Sequence, residues 1–264
     1  SSRYPWLMSV DVQALQTSSV WPMNWALPAG VHAVCSTRLG GVSKAPYASL
    51  NLGDHVNDDI ANVRANRELF AQQLDGAKPV FLTQIHGVDV VTLDASTRNG
   101  TVGDACITSS ANLACTIMVA DCLPLLFTET TGRVVAAAHA GWRGLAQGVV
   151  ERTVAAVCAQ AQVQPANVQA WLGPCIGPDA FEVGEDVRAA FAGPHAFKAH
   201  PMRSGKWLAD LAGLARRRLS DLGVTAVEGN DSSSNWCTVT QASTLFSYRR
   251  DGVTGRFAAS IWRC

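Results

Sequence analysis

The sequence has no excess of charge of either sign, because 21 lysine and arginine residues balance 21 aspartate and glutamate residues. A neutral chain lacks the diffuse electrostatic attraction that binds nucleic acid or an anionic membrane surface. The sequence also lacks an apolar run of membrane-spanning length and an N-terminal apolar segment that would direct secretion. We therefore expect a cytoplasmic protein that binds neither nucleic acid nor membrane and recognises anions only locally.

Closely spaced cysteine pairs are missing as well. The eight cysteines are spread over 264 residues, and no two form a CxxC motif. Without a secretion signal, the thiols are predicted to be reduced. Cys106, Cys115 and Cys158 lie in apolar stretches and are predicted to be small buried hydrophobic side chains. Cys122 needs a separate explanation.

The common cofactor and catalytic motifs are absent too. There is no GxGxxG, GxxxxGK[ST], HExxH or GxSxG pattern. The sequence therefore does not favour a dinucleotide-binding protein, a P-loop NTPase, a zincin or a hydrolase with a nucleophile elbow. Any active site must be built from residues that are far apart in the sequence.

What is present is a mixed pattern of strands and helices. Residues 1–20 are interpreted as a lead-in, and residues 21–264 as one domain, since no linker or repeat interrupts them. Short apolar runs predict strands at residues 80–82, 116–120, 123–127, 134–138 and 170–172. Helical spacing predicts helices over residues 58–70, after Gly144 to residue 158, and over residues 208–222. The irregular alternation of these elements favours the α+β class.

Specific residues mark the ends of two of these helices. Asp58 or Asp59 is the expected N-cap of the first. Gly223 is the expected C-cap of the last.

Three apolar segments end in a polar residue beside a turn. They deliver His86 before Gly87, Asp121 and Cys122 before Pro124, and His139 before the loop at residues 141–144. Two imidazoles and one thiolate suit zinc, and three protein ligands leave a fourth position open for water or substrate. The spacings of 36 and 17 residues match no zinc finger, so from spacing alone structural roles for these side chains stay open.

Longer motifs resemble those of a known family. They are STRLGGVS (36–43), YASLNLGDHVNDD (47–59), VRANRELF (63–70), TQIHGVDVV (83–91), ADCLPLLF (120–127), AAHAGWRG (137–144), GPCIGP (173–178), FEVG (181–184) and FSYRRDGVTGR (246–256). Their order resembles that of the laccase-domain family, whose members were once labelled multicopper polyphenol oxidases and later described as multifunctional purine nucleoside phosphorylases. The similarity runs from about Val31 to the C-terminus.

This resemblance implies a fold, a metal site and an activity. The fold is an α/β/β/α sandwich, and His86, Cys122 and His139 match the zinc ligands of the family. The implied substrates are phosphate with adenosine, inosine or methylthioadenosine, and adenosine deamination is an implied second activity. Copper stays possible as the metal, and the sequence leaves monomer and homodimer open.

Arginines near these motifs are candidates for phosphate binding. Arg143 is expected just before a helix that begins near Leu145, where free amides and a guanidinium would together bind an anion. Arg249 and Arg250 could supply a second contact and Arg38 a third. The alternative is that these arginines pair with carboxylates and only hold loops.

Three polar side chains are candidates for nucleoside binding or for orienting a histidine ligand. They are Asn51, Gln84 and Asp121. Asp121 and Cys122 are neighbours, however, and adjacent strand residues point to opposite faces. Trp142 could stack on a base or cover the core.

Two other enzyme classes and a binding module compete with the phosphorylase. Cys122 could be the nucleophile of a cysteine hydrolase, with His139 or His86 as its base, and some relatives are described as editing peptidoglycan precursors. A copper polyphenol oxidase is less favoured, because the six histidines include no HxH pair. A non-catalytic metal-stabilised binding module would turn over no nucleoside.

Overall fold

The computed structural model of the protein describes residues 18–264. Most of the expected lead-in therefore lies outside the described residues. Within residues 18–20, Val20 pairs with Ser36 in an isolated β-bridge, and Thr37 donates its backbone N–H to the Ser19 carbonyl over 2.9 Å. Residues 18–20 thus pack against the domain.

Strands dominate the described part of the chain. In chain order they are β1 (Val31–Cys35), β2 (Lys78–Phe81), β3 (Val90–Thr92), β4 (Ala105–Thr108), β5 (Leu113–Val119), β6 (Leu123–Glu129), β7 (Val135–Ala140), β8 (Val168–Leu172), β9 (Glu182–Val183), β10 (Phe197–Ala199), β11 (Trp207–Ala209), β12 (Ala226–Gly229) and β13 (Phe257–Arg263). The five strands predicted from apolar runs correspond to β2, β5, β6, β7 and β8, which confirms their existence and moves their ends by a few residues.

Helices fill the connections between these strands. They are α1 (Ile60–Ala71), α2 (Trp142–Gln147), α3 (Val149–Ala161), α4 (Glu185–Ala189), α5 (Leu211–Leu222) and α6 (Tyr248–Asp251). No helix in the described part of the chain combines the length and apolarity that a membrane crossing would require.

Two large sheets form the centre of the molecule. The first has the strand order β1-β13-β5-β2 and the second the order β12-β8-β6-β7-β4-β3, while β10, β11 and β9 make a small third sheet. In β6, Leu126 belongs to the apolar layer between the two large sheets, whereas Leu125 and Phe127 face the layer beneath α3 and α5. In β5, Ile117 faces the layer between the sheets, and Met118 faces α1. Successive side chains of β5 and β6 thus point to opposite faces, and both faces of each large sheet are buried. This arrangement confirms the α/β/β/α sandwich.

The helix predictions were correct in position and wrong in two details. Asp59 is the N-cap of α1, and Gly223 closes α5 with a φ of 88°, as expected. Leu208, however, lies in β11, because the helix begins only after Asp210 caps it. The helix expected after Gly144 is in fact two helices, which meet at Gly148 with a φ of 102°.

Candidate metal centre

The three candidate ligands come from three different elements. His86 lies in the loop after β2, Cys122 in the short connection between β5 and β6, and His139 within β7. The side-chain donor atoms of the three residues all lie within 4.8 Å of one another. Cys122 Sγ is 3.8 Å from His86 Nε2, and the two imidazole rings meet edge to face with centroids 4.8 Å apart. The sheet topology therefore brings together side chains that are far apart in the sequence.

A buried carboxylate that the sequence analysis missed organises this group. Asp104, the residue before β4, accepts a 2.8 Å hydrogen bond at Oδ2 from His139 Nδ1. The same carboxylate accepts the backbone N–H groups of Ile85, His86 and Gly87 over 2.9–3.0 Å. It thereby directs His139 Nε2 toward the ligand group and holds the loop of His86. Its one sequence signal is an acidic residue directly before an apolar strand.

Two of the site residues have unusual backbone conformations. His86 has a φ of 62° and Asp121 a φ of 135°, a region that L-residues rarely adopt. Such conformations persist where the surroundings over-determine them, and they cluster at functional sites. Asp104 supplies this support for His86. The Asp121 carboxylate is held by the hydroxyls of Thr238 and Ser247 over 2.6–2.7 Å.

Contacts among Cys122, His139 and Asp104 shift the pKa of each group. Burial raises the pKa of the Cys122 thiol, but the charge on His139 and the hydrogen bonds of both histidines outweigh it and lower the pKa to about 6. Burial lowers the pKa of His139, but the thiolate and Asp104 outweigh it and raise the pKa to about 9. The pKa of Asp104 lies below its usual value, because the hydrogen bonds that it accepts outweigh its burial. Cys122 is thus favoured as a thiolate, the form that binds metals.

Glycine is required where the chain passes the ligands. A Cβ atom on Gly141 would lie 3.0 Å from Cys122 Sγ and 3.0 Å from His86 Cδ2. We expect Gly141→Ala to displace these ligands and leave purified protein with substoichiometric metal, measured by elemental analysis. Gly87→Ala is the matched control, since its Cβ would meet no atom closer than 3.6 Å. Full metal occupancy in Gly141→Ala would show that the ligands tolerate displacement.

A cavity of about 450 Å³ opens beside the three candidate ligands. Its volume suits a small molecule. The remaining lining residues are His55, Gln84, Met118, Val119, Ala120, Asp121, Gly141, Trp142, Arg143, Ile176, Phe181, Leu211, Tyr248, Arg249 and Arg256.

Two of the predicted arginine contacts line this cavity. Arg143 lies in the first turn of α2, which begins at Trp142 with Gly141 as its N-cap, so the expectation that it precedes the helix was wrong. Its guanidinium carbon is 4.8 Å from the centroid of the Trp142 ring. Arg249 Nη1 donates to the Glu182 carbonyl, and its guanidinium lies over the Phe181 ring. Neither arginine forms an ion pair with a carboxylate within residues 18–264.

The other predicted contacts have roles in holding loops. Arg38 donates to the carbonyls of residues 48 and 242, and Arg250 donates to three carbonyls and pairs with Asp251 over 2.9 Å. Both side-chain groups of Asn51 are occupied, by Gly53, Asp58 and the backbone N–H of Arg256. None of these three side chains lines the cavity. All three therefore support loops in the structure, and ligand contacts by them stay predictions.

Gln84 lies at the cavity but is also occupied. Its amide accepts the Met118 N–H and donates to the Met118 carbonyl over 2.7–2.9 Å. It therefore joins the loop of His86 to β5 and positions that loop. His55 and Arg256, which the sequence analysis did not select, line the cavity instead.

Comparison with known proteins agrees with this architecture. The model of a family described as multi-copper polyphenol oxidoreductase laccase matches residues 32–264. The chain belongs to this family. The resemblance predicted from the motifs is thereby confirmed.

Two relatives that cover most of the chain share a functional name. The chain is 48% identical over 242 residues to "Purine nucleoside phosphorylase YfiH" of Escherichia coli, covering 90% of this chain and 96% of the relative. It is 45% identical over 245 residues to "Purine nucleoside phosphorylase" of Haemophilus influenzae, covering 90% and 97%. The crystal structure of a Neisseria meningitidis protein at 46% identity superposes with a TM-score of 0.85 and covers 93% of this chain and 99% of that one.

Proposed function

We propose that the protein is a zinc-dependent purine nucleoside phosphorylase that acts on adenosine, inosine and methylthioadenosine and also deaminates adenosine. One observation carries the proposal: the cavity combines the His-Cys-His group with arginines that lack a carboxylate partner among the described residues. Such arginines attract an anionic co-substrate to a chain of zero net charge. The names of the relatives support the same reaction.

The chemistry of the donor set fits zinc. His86, Cys122 and His139 would hold the metal, and Asp104 would fix the tautomer and orientation of His139. Bound zinc supplies a Lewis acid that stabilises negative charge on oxygen. Copper also accepts imidazole and thiolate ligands, so the metal itself is part of the proposal.

The walls of the cavity suit a purine nucleoside beside an anion. Trp142 and Phe181 present aromatic surface for the base, while the guanidinium groups bind phosphate and stabilise charge as the glycosidic bond breaks. In phosphorolysis an oxygen of hydrogen phosphate forms a bond to C1′ of the sugar. The bond from C1′ to the purine nitrogen breaks, and that nitrogen takes the proton of the phosphate. The products are the free base and the 1-phosphate of the nucleoside's sugar.

Adenosine deamination is the second proposed activity. Water adds its oxygen to C6 of the purine ring, and the C6–N bond breaks. The amino group leaves as ammonia with one proton of the water, and the other proton stays on the ring of the inosine product. The reaction consumes no phosphate. The two reactions are therefore distinguished by their dependence on phosphate.

A nucleoside panel tests the proposal. Metal-loaded protein is incubated with adenosine, inosine, methylthioadenosine or uridine, with and without orthophosphate, and the products are separated by chromatography. We expect free purine only with phosphate, inosine from adenosine in either condition, and no uracil from uridine. Purine release at the same rate without phosphate would refute phosphorolysis.

A cysteine hydrolase remains the second candidate. In that mechanism Cys122 would be the nucleophile, His139 its base, and Asp104 the carboxylate that orients His139. A peptidoglycan precursor would then be the substrate class. Alkylation of Cys122 in metal-free and metal-loaded samples, followed by mass spectrometry during turnover, separates the two roles. A substrate-derived adduct on Cys122 would establish the hydrolase.

The hypothesis of a copper polyphenol oxidase has less support. Within residues 18–264, His86, Cys122 and His139 form the one group of three or more His, Cys, Asp or Glu side chains with donor atoms in metal-binding range. A multicopper centre needs several such groups.

A further inference from the structure

Arg256 enters the cavity from a rigidly held piece of backbone. It directly precedes β13, and Phe257 is paired with Val119 of β5. Its N–H donates to Asn51 Oδ1 over 2.9 Å, and its carbonyl accepts the Leu52 N–H over 3.0 Å. These bonds fix the origin of the side chain next to the end of β5, which leads through Asp121 to Cys122.

The guanidinium of Arg256 is incompletely satisfied by the protein. Nη1 donates to the carbonyls of Thr254 and Gly255 over 3.0–3.2 Å. Nε and Nη2 have no acceptor within residues 18–264, and no carboxylate there lies within ion-pair distance. Arg67 shows the contrast, since this similarly half-buried arginine has Asp54 at 3.6 Å. Burying an unpaired charge is costly, so a free guanidinium at a cavity wall indicates an anionic ligand.

His55 lies beside the Arg256 side chain. A Cβ atom on Gly53 would meet Arg256 Cγ at 2.9 Å and His55 Cε1 at 3.3 Å, so both side chains flank the same glycine. Both also line the cavity. The imidazole therefore offers a hydrogen-bonding group next to the cation.

The two other cavity arginines are placed differently. Arg143 and Arg249 are exposed and lie over the rings of Trp142 and Phe181 respectively. Arg256 also has an aromatic neighbour, since its guanidinium carbon is 6.0 Å from the centroid of the Tyr248 ring, but Arg256 is half-buried. Exposed charges are screened by water and salt, whereas a half-buried charge acts through a medium of lower dielectric constant. The two proposed purine contacts, Trp142 and Phe181, lie on the side of these two exposed arginines.

We infer that Arg256, with His55 beside it, is the orthophosphate subsite of the cavity, whereas Arg143 and Arg249 contact the nucleoside side. This inference rests on the proposed phosphorylase function. The free Nε and Nη2 groups of Arg256 form the fork that binds two oxygens of one phosphate. Arg256 therefore sets the affinity for phosphate rather than for nucleoside.

Kinetics of inosine cleavage test the inference through the separate KM values for phosphate and inosine. We expect Arg256→Gln to raise KM for phosphate roughly 10- to 100-fold, the effect of losing charged hydrogen bonds. Arg256→Lys, which keeps the charge and loses the fork, should give an intermediate increase. KM for inosine and the phosphate-independent deamination of adenosine should change far less than KM for phosphate. Arg217→Gln, at an exposed arginine of α5, is the control.

Direct binding provides a second readout without turnover. Titration of inorganic phosphate into metal-loaded protein, followed by calorimetry, should show weakened binding in Arg256→Gln and His55→Gln. If Arg256→Gln does not fold, phosphate binding by Arg256→Lys is the deciding measurement, since lysine keeps the charge and nearly the same length.

The possible outcomes separate the inference from the proposed function. Wild-type protein that cleaves inosine without phosphate refutes the proposed function. Phosphate-dependent wild-type cleavage together with an unchanged KM for phosphate in both Arg256 variants overturns the inference alone. A selective increase in Arg143→Gln instead would move the subsite to α2 and also overturn it.

Discussion

Cys122→Ser is expected to lose bound metal and phosphorolysis together. The thiolate is one of only three donors in the candidate centre, and a serine hydroxyl is a much weaker ligand for zinc. Loss of a hydrogen-bonding partner outside the ligand set typically costs roughly 10- to 100-fold in metal affinity or activity, so loss of a direct ligand should cost more. Zinc per chain and the kcat/KM for inosine are the measurements.

Cys158→Ser is the matched control for this variant. Cys158 is a half-buried free cysteine in α3, outside the candidate centre, so its replacement should leave metal content and activity unchanged. Full metal occupancy of Cys122→Ser with abolished activity would contradict the ligand role. That result would favour Cys122 as a nucleophile.

Asp104→Asn is expected to impair the site through His139 and the loop of His86. Asp104 Oδ1 accepts the N–H groups of Ile85 and Gly87, while Oδ2 accepts the N–H of His86 and His139 Nδ1. In either orientation, the asparagine NH₂ would face two donors. We expect metal affinity or activity to fall roughly 10- to 100-fold. Unfolding free energy should fall by about 1–3 kcal/mol.

Asp89→Asn is the control for Asp104→Asn. The Asp89 carboxylate is mostly exposed and is 3.5 Å from the exposed Arg152 guanidinium, so the substitution should cost little. Competition with a zinc chelator and thermal unfolding measure the two effects. Wild-type metal affinity in Asp104→Asn would show that His139 is oriented by its position in β7 alone.

The sequence predicted the elements that carry the ligands because their apolar runs are uninterrupted. β5, β6 and β7 are buried along their whole length, so their composition alone identifies them. The break between α2 and α3 was missed, because apolar spacing continues across Gly148 and does not reveal its φ of 102°. The contact between the sheets depends on folding at long range, and the family resemblance supplied that part of the prediction.

The candidate site shows the same division between local and long-range information. His86, Cys122 and His139 could be selected because imidazole and thiolate are the side chains that zinc prefers. Arg38 and Arg250 were selected as arginines within the recognised motifs, and only the structure shows that backbone carbonyls accept their hydrogen bonds. Arg256 was part of a recognised motif, but its free guanidinium becomes evident only with the cavity in place.

Phosphorus-31 NMR of metal-loaded protein with inosine and orthophosphate tests the proposed function most directly. We expect a new sugar-phosphate resonance that grows in step with free hypoxanthine, one molecule for each molecule of base, while orthophosphate falls by the same amount. Metal-free protein should show no such resonance until zinc is returned. Hypoxanthine release without any sugar phosphate would contradict phosphorolysis.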